Sequence, residues 1–231
     1  PGVFPRKIKY GTDNMAKGPA MSREEAVKAI EVGIGMVADL KEKGYNVLAT
    51  GEMGIGNTTT SSAVCSVLLD QSVEKVTGKG AGLTNKDLEH KIEVIRQSIA
   101  LNKVNADDPL DVLAKVGGLD IAGMAGCYIG GAALNIPVFI DGFISSVAAL
   151  IAIRLVPECA PYLFPSHCSN EPAGRMILDA IGKQPYILAN MCLGEGTGAV
   201  MGFTIADYAF KAYWELPSFE QTNFGTYEEL N

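Results

Sequence analysis

Apolar residues at Ala26, Ile30, Gly33, Val37 and Leu40 recur at spacings of 4, 3, 4 and 3, which is one face of a helix. Ser22 and Glu25 stand just ahead of that stripe as a capping box, and Gly44 closes it. The next run, YNVLAT at 45–50, is short and β-rich; Gly51 stops it, and a glycine turn, GEMGIGN, leads into a helix from about Thr58 to Leu69. Strand, glycine turn and helix in that order open an α/β unit.

The pattern continues in the same style. Leu88, Ile92, Ile95 and Ile99 mark an amphipathic helix over 86–104, and Asp108-Pro109 supplies an N-cap followed by proline at the first helical position. Ile136 to Ile140 is apolar throughout, as a parallel strand covered on both faces should be; it ends at Asp141-Gly142, and a helix over 144–153 follows. A further helix over Pro172–Ile181, a short strand at Tyr186–Ala189, the turn LGEGTGAV and a last helix reaching Tyr213 complete the series. The prediction is an α/β fold with a parallel sheet, and no repeat or shift in composition divides residues 1–231 into separate domains.

Ile121 to Ile140 is a twenty-residue stretch without a charge, the length of a bilayer span. Its four glycines, Asn135 and Pro137 argue instead for a buried glycine-rich helix running into a buried strand, with Gly126-x-x-x-Gly130 allowing close packing. No membrane partner is expected. The opening residues, PGVFPRKIKY, carry no apolar core of a signal peptide.

Composition narrows the picture further. Hydrophobic residues make up 48% of the 231 and charged residues 19%, enough for a packed core and unlike a disordered chain. Nineteen Lys and Arg against 26 Asp and Glu give a net charge of −7, the wrong sign for displacing counterions from a nucleic acid. Five cysteines, at 65, 127, 159, 168 and 192, form no disulfide framework and fit a reduced, cytoplasmic protein.

Two polar, glycine-rich segments follow strand ends, where open parallel sheets place their ligands, and a third polar segment lies between an apolar run and a helix. In Gly51–Thr60, glycines let backbone amides approach an anion and the helix beyond adds its dipole. The segment is neither a Walker A loop nor GxGxxG, and a plain strand-to-helix turn would also use these residues. In Leu193–Gly198, Glu195 lies bare between two glycines at a helix start, where the ionised form is favoured and can accept a proton; an acid that only complements the dipole would look the same. In Ser166–Glu171, His167 and Cys168 suggest zinc, but the chain has two histidines and no ligand-pair spacing, so no metal is expected. Its serines read as caps or phosphate donors. Gly78–Gly82 is a loop with one cation, Lys79. Lys91 falls beside the apolar stripe of its helix, the position of a solvated surface lysine. Asp141, ending the buried strand, caps the next turn or binds a hydroxyl. Trp214 reads as core or interface packing.

Six segments stand in order: GEMGIGNTTT (51–60), HKIEVI (90–95), GGLDIAGMAG (117–126), PVFIDGFISS (137–146), SHCSNEPAGR (166–175) and LGEGTGAVMGF (193–203). With them the chain, from about residue 10 to about 220, resembles the nicotinate-nucleotide:dimethylbenzimidazole phosphoribosyltransferase family. The resemblance implies transfer of phosphoribose from nicotinate mononucleotide to 5,6-dimethylbenzimidazole, giving nicotinate and α-ribazole 5′-phosphate for the lower ligand of cobalamin. It also implies a Rossmann-like parallel sheet with flanking helices, plus the remnant of a small helical domain formed by about 1–20 and 204–231. A homodimer working without metal or cofactor is implied as well.

Matched motif by motif, Glu195 corresponds to the general base that takes the benzimidazole proton, and Glu52 to a second carboxylate near the reacting centre. Gly54, Gly80, Lys91 and Ser169 correspond to positions around the 5′-phosphate, Asp141 lies beside the nucleotide, and Leu193 is a further substrate-binding position. The sequence departs from the family pattern in two respects. Family members carry roughly another hundred residues ahead of the point where this chain starts, and Cys192 stands where a basic residue is expected. An alternative expectation is therefore a truncated, catalytically impaired relative that only binds the phosphorylated nucleoside. A nucleotide-binding dehydrogenase lacks its GxGxxG fingerprint here.

Overall fold

A computed structural model of the chain describes residues 3–222. After an irregular segment whose Met15, Ala20 and Met21 are buried in the core, helix α1 spans Arg23–Glu42. The capping box forms as the sequence predicts: the Glu25 amide donates to Ser22 Oγ at 3.1 Å, and the Ser22 amide donates to Glu25 Oε2 at 2.9 Å. Strand β1 is only Leu48–Ala49; α2 (Asn57–Leu68), the one-turn α3 (Val73–Val76), α4 (Asn85–Asn102), α5 (Pro109–Val116) and α6 (Leu119–Ala133) follow. In α5 the Asp108 carboxylate accepts the Leu110 and Asp111 amides, with Pro109 just inside the helix. Strand β2 (Val138–Ile140) then enters α7 (Phe143–Leu155), and a 3-10 turn at Pro157–Tyr162 enters β3 (Leu163–Pro165). Helices α8 (Gly174–Ala180) and α9 (Thr197–Glu215) complete the fold.

The strands form one parallel sheet in the order β1-β2-β3, with Ala49 opposite Phe139 and Phe139 opposite Phe164. Each is shorter than its apolar run. Residues 45–47 are exposed beyond the sheet edge, and the expected strand at Tyr186–Ala189 is reduced to a single bridge between His167 and Ile187. β3 was not predicted as a strand, because three residues ending on Pro165, directly after the Pro161-containing turn, are too few to show a period.

Val147 to Ala152 of α7 are almost fully enclosed, and the helix packs against α2, α5, α6 and α8. The uncharged stretch is indeed the glycine-rich α6 running into β2. A Cβ at Gly126 would lie 2.0 Å from the Ile30 carbonyl oxygen, so α6 and α1 touch backbone to backbone. No helix among the described residues is long and apolar enough to cross a membrane.

Helix α9 meets the sheet only at its start, where Gly198, Ala199 and Gly202 are buried and Phe203 packs edge-on against Phe139. Farther along, Ile205, Tyr208, Phe210, Tyr213 and Trp214 are exposed. The expectation of core packing for Trp214 is thereby corrected: its ring is 76% exposed and touches Tyr213, because the helix has left the sheet by that point. The expected helical subdomain includes residues 1–2 and 223–231, which lie outside the described residues.

Candidate active site

The turn after β1 and the loop before α9 meet at the carboxyl end of the sheet. The Glu195 amide donates to the Glu52 carbonyl at 3.1 Å. Contact is close enough that a Cβ at Gly51 would lie 2.6 Å from the Gly196 nitrogen. Gly194, Glu195 and Gly196 all have left-handed backbones, with φ of 76°, 58° and 79°. Two glycines adopt this freely, whereas Glu195 pays roughly 1–2 kcal/mol for its Cβ. What offsets that strain is Asp141, buried at the end of β2. Its Oδ2 accepts the Gly196 amide at 2.9 Å, and its Oδ1 accepts the Gly198 and Ala199 amides at 2.9 and 3.2 Å. Asp141 thus caps α9 across the sheet rather than the turn that follows it in sequence, and its charge complements the helix dipole. The Glu195 side chain is exposed.

His167 lies beneath this junction, 2% exposed and with Nδ1 4.0 Å from Asp141 Oδ1. Ser166 Oγ donates its one hydrogen to the Ile140 carbonyl at 2.7 Å, so the 3.0 Å contact between Ser166 Oγ and His167 Nδ1 requires the imidazole nitrogen to be the donor. Burial lowers the His167 pKa below its ordinary 6.5 against the opposing pull of Asp141, and the ring is neutral at pH 7.

Glu52 is held from its own turn. Its Oε2 accepts the Gly54 amide at 2.5 Å and the Asn57 carboxamide at 2.6 Å, and Asn57 Nδ2 also donates to Asp120 Oδ2 at 2.8 Å. Both hydrogens of that amide are taken by carboxylates, and Asn57 Oδ1 is left enclosed without a partner. Exposed Met53, Ile55 and Leu193 give the two glutamates an apolar rim.

A second corner forms around Lys91. The surface-lysine reading is corrected here: Lys91 is 7% exposed, and its Nζ donates to Thr58 Oγ1 at 2.9 Å and to the Gly78 carbonyl at 3.0 Å. Helix α4 turns this position inward because the 78–80 loop folds over it. Gly80 has a left-handed backbone against the Thr58 side chain. Glu171 packs into the same corner, with Oε2 2.0 Å from where a Gly78 Cβ would stand, enclosed and without a hydrogen-bond partner. Burial raises its carboxyl pKa, while Lys91 and the Gly80 amide oppose the rise. Burial likewise lowers the Lys91 pKa, and Glu171 counters it. Ser169 reaches this corner only through Glu171, whose amide donates to Ser169 Oγ at 3.3 Å. Lys79, the cation the loop itself offers, points outward and is exposed.

The structure therefore brings the anticipated residues into two groups: Glu52, Gly54, Asp141, Leu193 and Glu195 in one, Gly80, Lys91 and Ser169 in the other. The start of α2 joins them, since Asn57 holds Glu52 and its neighbour Thr58 holds Lys91. Sequence reasoning missed Asn57, Asp120 and Glu171 as site residues, though all three lie inside the quoted motifs. Among the described residues no three His, Cys, Asp or Glu side chains gather as a metal site.

A family model described as "Phosphoribosyltransferase", DBI_PRT, matches residues 2–224. Over 230 residues the chain is 55% identical to the nicotinate-nucleotide--dimethylbenzimidazole phosphoribosyltransferase of Ruminiclostridium cellulolyticum, covering 100% of this chain and 65% of that protein. The enzyme of the same name from Acetivibrio thermocellus is 51% identical over 227 residues, with 98% and 65% covered. Among solved structures, the crystal structure of CobT from Thermus thermophilus superposes with a TM-score of 0.92 at 35% identity, covering 97% of this chain and 67% of that one. The chain spans about 65% of the length of these curated relatives.

Proposed function

The chain belongs to the DBI_PRT phosphoribosyltransferase family, and from that premise we propose that it transfers phosphoribose from nicotinate mononucleotide to 5,6-dimethylbenzimidazole. The observation that carries the reading is the backbone bond between Glu195 and Glu52, which ties the two acidic turns together at one end of the sheet, while Thr58, next to the Asn57 that holds Glu52, accepts from the buried Lys91. A benzimidazole nitrogen attacking C1′ must shed its ring proton, and the exposed Glu195 carboxylate accepts it. As the glycosidic bond to nicotinate breaks, positive charge builds on the ribose ring, and Glu52, held by Gly54 and Asn57, stabilises it. The leaving nicotinate carries a cationic ring nitrogen in the substrate and departs neutral at that atom, so no acid is needed. Lys91, Gly80 and Ser169 receive the 5′-phosphate. Asp141 serves the nucleotide indirectly, by holding the Glu195 loop. Leu193, with Met53 and Ile55, lines the acceptor side.

The same proposal takes in a Rossmann-like sheet, a small helical subdomain built from about 1–20 and 204–231, a homodimer, and residence in the cytoplasm. Exposed apolar residues along α9 and five free cysteines support the last three. The test is incubation with nicotinate mononucleotide and dimethylbenzimidazole while nicotinate release is followed. Glu195→Gln is expected to slow release by about 10²-fold or more, and release at an unchanged rate refutes the assigned base. The uncovered rim at Met53, Ile55 and Leu193 favours a second reading, binding of the phosphorylated nucleoside without turnover. Binding of nicotinate mononucleotide with no release would select it.

A further inference from the structure

Glu171 is a carboxylate that none of the steps above uses. Its Oε2 is enclosed without a hydrogen-bond partner against Gly78, whose carbonyl accepts from the Lys91 ammonium, and the Lys91 charge acts on the carboxyl. A buried acceptor without a donor is costly, and a ligand that supplies the missing hydrogen is one way such a group is satisfied. Lys91 has given two of its three hydrogens to Thr58 and Gly78 and keeps one for an incoming anion. An anion taken up by that hydrogen arrives beside a second negative group. A fully ionised phosphate facing an ionised carboxylate cannot be accommodated by one lysine. A phosphate that carries a hydrogen solves the problem, because its P–O–H donates to the orphaned oxygen.

Resting on the reading of this corner as the phosphate site, we propose that Glu171 shares one proton with a phosphomonoester bound at Lys91 and so selects phosphate over sulfate. The balance is simple. A dianionic ester, an ionised Glu171 and one solvent proton give a complex with a single hydrogen between the two oxygens, whichever of them holds it. No covalent bond changes. Among the described residues none of the groups packed around Glu171 supplies that hydrogen to Oε2. Lys91 is the charged group acting on the carboxyl, the Gly80 amide also faces it, and Ser169 Oγ, which accepts the Glu171 amide and keeps its own hydrogen, lies outside hydrogen-bond distance of Oε2. Burial already biases the carboxyl towards its protonated form, in the direction the complex needs. Sulfate has the same shape and charge but holds no proton near neutral pH, so its complex forms only when Glu171 carries the proton alone.

Calorimetric titration of the full chain with ribose 5-phosphate and with sulfate, in two buffers of different ionisation enthalpy at pH 8, counts the protons directly. The expected result is uptake of about one proton per ribose 5-phosphate, affinity falling about tenfold per pH unit above pH 7, and sulfate at least about tenfold weaker. In Glu171→Gln the amide donates in place of the shared proton. Uptake should vanish, and sulfate should bind within about threefold of ribose 5-phosphate. Binding of ribose 5-phosphate without proton uptake by the unaltered chain overturns the proposal, and that measurement needs no variant. Uptake that survives Glu171→Gln overturns it too, by assigning the proton to Lys91 or the ligand. Failure of both anions to bind is a different outcome: it removes the phosphate corner itself, and the selectivity proposal with it.

Discussion

Glu195 is the single residue where conformation and chemistry conflict. A side chain with a Cβ occupies a left-handed backbone position that either neighbouring glycine would fill without strain. Replacing it with glycine relieves roughly 1 kcal/mol of strain while removing the proposed base. Glu195→Gly is therefore expected to melt at the same temperature as the parent or a few degrees higher, with nicotinate release reduced at least about 10²-fold. A lower melting temperature would mean that the glutamate is there for packing. Asn57 gives the opposite kind of test. Its truncation to alanine removes two charge-assisted hydrogen bonds, which are worth about 1.5–3 kcal/mol each, together with an enclosed orphan oxygen that costs about 1–3 kcal/mol. The second effect offsets only part of the first. A urea denaturation series should show a net loss of up to about 5 kcal/mol, while turnover drops because Glu52 keeps only the Gly54 amide.

At the scale of elements, the junction of β2, α9 and the His167 segment is what places the site. A Cβ at Gly198 would stand 2.1 Å from His167 Nδ1 and 2.8 Å from Asp141 Oδ1, so Gly198→Ala must push the ring or the helix aside. Overpacking of this kind costs about 1–3 kcal/mol, and the denaturation midpoint should fall accordingly. The neutral His167 ring adds a pH dependence whose sign is fixed. Its folded pKa lies below the unfolded 6.5, so on acidification the unfolded chain binds the proton first. The stability is fully present above about pH 6.5 and is lost as pH falls through that value towards the folded pKa. Urea midpoints at pH 7.5 and 5.5 should differ by less in His167→Gln than in the parent; an equal drop in both would assign the acid sensitivity to other groups.

Helices were legible in the sequence where water touches one face. The Ser22–Glu25 box, Asp108-Pro109 and the 88/92/95/99 stripe all advertise themselves locally. Strands of two or three residues show no alternation, and β3 was invisible for that reason. Glu195 was legible because its two flanking glycines leave it exposed, whereas Glu52 and Lys91 entered only through the matched motifs. The burial of Lys91 and the enclosure of the Glu171 carboxylate were not legible, since they depend on the 78–80 loop and the 166–171 segment converging on α4. Asp141 was legible as important but not in role, because its partners lie 55 to 58 positions away.

The whole molecule carries one feature its own core does not explain, the exposed apolar surface of α9. Val200, Met201, Ile205, Tyr208, Phe210, Tyr213 and Trp214 are all exposed, and they occupy more than one side of the helix. A helix apolar on several sides belongs in an interior. Each large side chain covered contributes about 1.5–3 kcal/mol, and several together exceed the cost of about 4–15 kcal/mol of bringing two bodies together. A second copy of the chain seated on α9 is the homodimer proposed above. Trp214 is the one tryptophan in the sequence, so its fluorescence reports on that face alone. Raising the concentration should shift its emission to the blue and protect it from acrylamide, in step with dimer formation in sedimentation velocity. Ile205→Glu should abolish both changes while leaving far-ultraviolet circular dichroism unaltered, because the Ile205 side chain is exposed. Emission that stays solvent-exposed while sedimentation shows a dimer would place the interface elsewhere and leave α9 for the helical subdomain.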